Sequence, residues 1–102
     1  MTQFMISTEP ATGAELWRGA AGDAAAEVAA ARAAWPEWAA HSLSYRIEAL
    51  RRFANEVRSR EPAFAELIAR ETGKPLWEAK TEIASVIAKV EISANAYLER
   101  TP

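Results

Sequence analysis

The stretch Glu71-Thr72-Gly73-Lys74-Pro75 decides the fold, because its Gly-Lys pair admits two incompatible readings. In a phosphate-binding loop a glycine stands five positions before the Gly-Lys pair and a serine or threonine follows the lysine. Backbone N–H groups then wrap the phosphates while the hydroxyl holds magnesium. Here those two places hold Ile68 and Pro75. The other reading uses more of the stretch. Gly73 can take the left-handed conformation that ends a helix, Lys74 lies near the negative end of that helix's dipole, and Pro75 has the fixed φ suited to a helix start. The stretch therefore reads as a corner between two helices.

On the carboxyl side of the corner the spacing predicts a long helix over residues 75–98, with Ile83, Val86, Ile87, Val90, Ala94 and Tyr97 in one apolar stripe. On the amino side, Glu61-Pro62 opens a helix over 62–72, since proline at the first helical position gives up a donor that has no partner there anyway. Phe64, Leu67 and Ile68 are its expected buried side. A helix over 43–58, capped by Ser42 or Ser44, carries the stripe Leu43, Ile47, Leu50, Ala54 and Val57. Before it lies an alanine-rich helix over 23–39. Gly22-Asp23 marks its start, Glu27 sits near its positive end, and Trp35 and Trp38 are expected to pack inward as anchors. Pro36 removes one backbone donor, so a kink or a weakened last turn is expected there.

Residues 3–19 are the one candidate sheet. Phe4 and Ile6 alternate with other residues, Glu9-Pro10-Ala11-Thr12-Gly13 is rich in turn formers, and Leu16-Trp17 resumes an apolar run. A two-stranded hairpin is marginal alone, so this one is expected to lie against the helices or to add to a sheet supplied from elsewhere. The fold class is thus mainly α, about four helices behind an N-terminal β-hairpin.

With 102 residues and 50% hydrophobic content, the chain can build one small domain with a modest core and has no room for a complete two-domain enzyme. Twelve basic residues stand against 14 acidic ones, a net charge of -2, so no basic field attracts a phosphate backbone and no nucleic-acid partner is expected. There is no cysteine, which removes disulfides, thiolate metal sites and a thiol nucleophile together, and fits a reducing cytoplasm. The start MTQFMISTEPATG lacks the basic flank and apolar run of a leader, and Glu27 and Arg32 interrupt the longest alanine-rich tract. No membrane span is expected, and the cytoplasm is the expected location.

Few residues offer chemistry. His41 is the single histidine and, with no cysteine beside it, cannot anchor a usual transition-metal site; a surface position at a helix junction is expected. Glu78 and Glu82 lie four apart with Lys74 and Lys80 nearby, in the arrangement of an acid/base pair or a hard-cation site, and more simply of an ion-paired surface. Arg46, Arg51, Arg52 and Arg58 read as a solvated helix face paired with glutamates rather than as a basic patch. Ser7, Thr8, Ser42, Ser44 and Ser85 include no nucleophile elbow and have no partnered histidine. No residue is expected to be catalytic, to bind a cofactor or to ligate a metal.

Three segments taken together, EPATGAELW at 9–17, AARAAWPEWAAHSLSYR at 30–46 and ARETGKPLWEAKTEI at 69–83, resemble the amino-terminal region of the aldehyde dehydrogenase superfamily. Glu9 stands where the family usually has asparagine before Pro-Ala-Thr-Gly. Within the superfamily, ETGKPLWEA followed by a long helix to AYLERT looks most like an NAD-dependent branch of arginine catabolism. The resemblance implies a fragment of an α/β fold, the helical layer and hairpin that pack beside a cofactor domain. It also implies a longer enzyme, a homo-oligomer that uses NAD or NADP. There a cysteine thiolate attacks the aldehyde, a nicotinamide accepts hydride and a glutamate activates water. Those parts follow later in the family's order, so none maps onto residues 1–102. On this reading the chain alone is a scaffold that is inactive and binds no cofactor, and its partner is the remainder of the enzyme. A standalone helical interaction module, docking partner helices through its last helix, is the second reading.

Overall fold

The computed structural model describes residues 3–101. An antiparallel hairpin of β1 (Phe4–Thr8) and β2 (Glu15–Ala20) leads into four helices, α1 (Ala24–Ala40), α2 (Leu43–Ser59), α3 (Glu61–Thr72) and α4 (Leu76–Arg100). Local chemistry sets each boundary. Asp23 caps α1, its carboxylate accepting from the Ala25 and Ala26 N–H groups at 2.9 and 3.2 Å. The Ser42 hydroxyl caps α2 by accepting from the Tyr45 N–H at 3.2 Å. A single residue, Arg60, joins α2 to α3, and Pro62 occupies the first turn of α3. Gly73, at φ 77°, ends α3 with its N–H on the Ala69 carbonyl, and the Pro75 carbonyl starts α4 by accepting from Glu78 and Ala79.

Long helix α4 is the spine on which α2 and α3 pack. Among the described residues the buried core consists of Ala54, Val57, Ala65, Ala79, Ile83 and Ala94, and no large side chain is fully buried. Small residues bring helices close but remove little apolar area from water. The molecule is correspondingly open. Its radius of gyration is 17.6 Å, against about 13 Å for a compact chain of this length. Its accessible surface of 7852 Å² exceeds the roughly 5,700 Å² of a compact monomer of this mass.

Several expectations about burial are corrected. Helix α1 continues through Pro36 to Ala40 and buries no residue, so Trp35 (66% exposed) and Trp38 are not inward anchors. The spacing of three sets the two tryptophans on one side of α1, but no element packs broadly on that helix. In α3 the fully buried residue is Ala65, while Leu67 is exposed. Of the α4 stripe, Ile83 and Ala94 are buried while Val86 and Tyr97 lie open, and Ala79, outside the stripe as read from the sequence, is buried too.

Pairing in the hairpin runs from Phe4 opposite Ala20 to Ser7 opposite Trp17, then shifts so that Thr8 faces Glu15 and Leu16 is the extra residue of a bulge. Gly13, at φ 74°, completes the loop, where the Glu9 carbonyl accepts from Gly13 N–H at 2.8 Å. Because Ser7 and Trp17 are directly opposite, their side chains share a face. Both reach one atom: the Ser7 hydroxyl donates to Glu71 Oε1 at 2.7 Å, and the Trp17 indole N–H donates to the same oxygen. The Glu9 carboxylate accepts from the Thr12 hydroxyl at 2.9 Å and from Arg70 at 3.4 Å. The first residue of the corner thus docks the hairpin, and the residue before it holds the hairpin loop.

The hydrogen bonds from Ser7 and then Trp17 hold the Glu71 carboxyl below the ordinary carboxylate range, against a smaller opposing effect of desolvation. Glu9 is lowered in the same way, by Thr12 first and Arg70 second. A lowered folded-state value means that docking strength is fully present above the unfolded value of about 4.3 and is lost as pH falls through the folded value. Acidifying from about pH 6 to about pH 3 is therefore predicted to red-shift Trp17 emission in a chain whose other tryptophans are phenylalanine, with Glu71→Gln reducing the pH dependence. An unchanged spectrum contradicts this. A second prediction concerns Gly73. A Cβ there meets nothing within 4 Å, so the cost of Gly73→Ala is conformational, about 1–2 kcal/mol for a left-handed alanine. Gly22→Ala, also unobstructed but without positive φ, is expected to be neutral or stabilising by up to about 1 kcal/mol. Urea titration followed by helical circular dichroism checks both.

Candidate functional site

Most chemistry-bearing side chains are engaged with neighbours inside the chain. Lys74, the lysine of the corner, donates its ammonium to Glu82 on α4, and that hydrogen bond raises the Lys74 pKa above its ordinary value. An ammonium held this way ties the end of α3 to the second turn of α4 and is not directed at a phosphate. Glu78 adds only a weaker electrostatic contribution to Lys74. Of the two carboxylates that could have formed an acid/base pair, Glu82 is therefore the partner of a cation. Among the described residues no group of three histidine, cysteine or acidic side chains gathers around a point that could hold a metal.

The hydroxyls are similarly committed. Ser7 donates to Glu71, Ser42 caps α2 and contacts Ser44 at 3.1 Å, and Ser85 donates to the Thr81 carbonyl at 2.9 Å. Ser7 beside Glu71 is the nearest approach to a nucleophile with a base, but no imidazole stands between them to take the proton. His41 lies at the α1–α2 junction and stacks on Tyr45 with ring centroids 3.9 Å apart and planes inclined by 17°. The pair flanks a shallow groove completed by Ala34, Glu37 and Trp38.

The arginines resolve individually. Arg51 bonds Glu91 through Nε at 2.6 Å and Nη2 at 3.2 Å, joining α2 to α4, and also reaches Glu48 at 3.6 Å. Arg51 is accordingly raised, Glu91 first, and the Glu91 carboxyl is lowered by the same bond. Arg58 donates to Asn55 at 2.6 Å rather than to a glutamate. Arg46 is half-buried, and its Nε has no hydrogen-bond partner. These exposed pairs orient helices and contribute little stability each.

What the surface offers instead is apolar area. Leu50, Phe53, Val86 and Val90 line an open groove along the α2–α4 seam, and Phe53 also borders a second groove with Val57 and Phe64. Val28, Ala31 and Trp35 line another along α1. Trp77 at 70% exposure, Leu76, Ile92 and Leu98 extend the uncovered area along α4. Contiguous exposed apolar surface of this kind is a feature of docking surfaces and binding grooves. Of these residues the sequence placed Leu50, Val57, Val86 and Val90 on apolar stripes and expected Phe64 and Trp35 to be buried, while Phe53, Trp77, Ile92 and Leu98 were not singled out.

Comparison with known proteins accounts for the same segment. The family model described as "Aldehyde dehydrogenase family" matches residues 2–101. A protein of Sphingopyxis alaskensis named N-succinylglutamate 5-semialdehyde dehydrogenase is 61% identical over 102 residues, all of this chain and 21% of that protein. A Novosphingobium aromaticivorans protein of the same name is 62% identical over 97 residues, 95% of this chain and 21% of its own length. One from Chromobacterium violaceum is 48% identical over 97% of this chain and 21% of its length. The chain thus spans about a fifth of the curated relatives it matches. A family match across nearly every residue, with identities this high, establishes that the chain belongs to the aldehyde dehydrogenase family.

Proposed function

We propose that this chain is the amino-terminal helical layer of an NAD(P)-dependent aldehyde dehydrogenase that oxidises N-succinylglutamate 5-semialdehyde to the corresponding acid in arginine catabolism. The observation that carries this reading is 61% identity along the whole chain to a relative of that name. The open fold supports it. About 2,000 Å² of surface beyond that of a compact monomer is the area a large intramolecular or obligate interface buries. In this reading the grooves on α1, α2 and α4 receive the remainder of the enzyme, and the role of the segment is to cover and brace its cofactor domain. The nucleophilic thiolate, the dinucleotide site and the contacts of a homo-oligomer belong to the rest of the polypeptide. The chain alone has no cysteine to form the thiohemiacetal that precedes hydride transfer. The complete enzyme works in the cytoplasm. No helix of the described residues is long and apolar enough to cross a membrane.

A chimera tests the reading. Residues 1–102 replace the matching 21% of the Sphingopyxis alaskensis protein, and NADH formation from N-succinylglutamate 5-semialdehyde is followed at 340 nm. The chimera is expected to retain turnover within about tenfold of its parent, a change of about 1.4 kcal/mol in the barrier, while the 102-residue chain alone forms no NADH. NADH production by the isolated chain, or a folded but inactive chimera, overturns the proposal. A standalone interaction module predicts the second of these outcomes.

A further inference from the structure

We infer that Arg70 and Glu71 form a two-point clasp that sets the position of the hairpin on the helical layer, so that the hairpin opens when the clasp is lost while the helices stay folded. Three side-chain bonds join hairpin to helices among the described residues: Ser7 to Glu71, Trp17 to Glu71, and Arg70 to Glu9. All three converge on consecutive residues at the carboxyl end of α3. Neither strand packs broadly against any helix. The apolar side chains Phe4, Met5, Ile6 and Trp17 are exposed, so hydrophobic burial does not fix the ribbon either.

The hairpin has its own means of holding together. Its strands pair over five residues of β1, its loop is closed by the Glu9–Ala14 and Glu9–Gly13 backbone bonds, and the Ala21 N–H bonds the Gln3 carbonyl at 2.7 Å. The clasp has a rigid seat. Gly73 terminates α3 two residues beyond Glu71, the Thr72 hydroxyl donates to the Ile68 carbonyl at 2.7 Å, and Lys74 is fixed to Glu82 on α4. A ribbon joined to the helices by a few polar bonds opens at those bonds while the helices stay folded, because opening is least costly where buried contacts are fewest, and a two-stranded hairpin so released is marginal in water and unpairs. Both bonds to Glu71 require its carboxylate as acceptor, so this residue is a positioning residue for the hairpin. No role in a chemical step follows from it.

Limited trypsin digestion of the full 102-residue chain tests the clasp, with cleavage after Arg18 in β2 reporting the hairpin and cleavage after Arg58 reporting the helices. Glu71→Ala is expected to raise the rate of cleavage after Arg18 by about tenfold, the effect of losing a charge-assisted hydrogen bond, with cleavage after Arg58 unchanged. The double variant Ser7→Ala, Trp17→Phe removes the same bonds from the hairpin side and leaves the helices untouched, so it is expected to reproduce the effect. Arg70→Ala is expected to add to it. Helical circular dichroism at the parent value accompanies each of these results. Unchanged cleavage after Arg18 in both the Glu71 and the double variant overturns the inference, as does a rise at Arg18 and Arg58 together.

Discussion

The helices of this chain approach one another through alanine, and most of the structure's properties follow from that. Among the described residues Ala54, Ala65, Ala79 and Ala94 make up four of the six buried core residues, joined by Val57 and Ile83. An alanine contact lets backbones come close at no cost in side-chain entropy, but it contributes far less apolar burial than a leucine or phenylalanine in the same place. The seams of α4 with α2 and α3 are therefore well aligned and thin. The large apolar side chains flank these seams, in grooves that open to solvent.

A layer of this kind has an inside only when something lies against it. The helix α1 makes the point most clearly: seventeen residues, a Pro36 accommodated within it, and no buried residue. Its Trp35 and Val28 have the composition of a core and the exposure of a surface. The corner at Glu71–Pro75 shows the converse, a stretch whose polar atoms are satisfied locally. Glu71 docks the hairpin, Thr72 closes the last turn of α3, Gly73 turns the chain, Lys74 ties back to Glu82 and Pro75 begins α4. The corner thus orders the hairpin, α3 and α4 around one point.

Element types were legible in the sequence because they depend on local chemistry. Asp23 and Ser42 supply caps, Pro62 and Pro75 stand at helix starts, and Gly73 supplies the positive φ that a helix end of this kind requires. Burial was less legible, since a stripe at helical spacing says which side is apolar but not which part of that side is covered. Val86 and Tyr97 share the stripe of Ile83 and Ala94 yet lie outside the seam, and Ala65 and Ala79 are buried because they are small enough for close approach. The convergence of Ser7 and Trp17 on Glu71 was not legible at all. It depends on the hairpin register and its bulge, which place residues ten apart on one face and bring them to a helix end more than fifty positions away. The resemblance carried by EPATGAELW and ARETGKPLWEAKTEI supplied the family, while the residues themselves supplied no catalytic constellation.

Taken with membership of the aldehyde dehydrogenase family, the thin alanine seams and uncovered grooves support the proposed role as a scaffold. The most direct measurement is a titration of the purified 102-residue chain with a fluorescent dye specific for exposed apolar surface, read together with near-ultraviolet circular dichroism of its four tryptophans. Strong dye binding with full helical content is the predicted result, with a near-ultraviolet signal that comes mainly from Trp17 docked on Glu71 and little from the exposed Trp35 and Trp77. A monomer that binds no dye, shows a strong tryptophan signal and melts in one sharp transition would contradict the account.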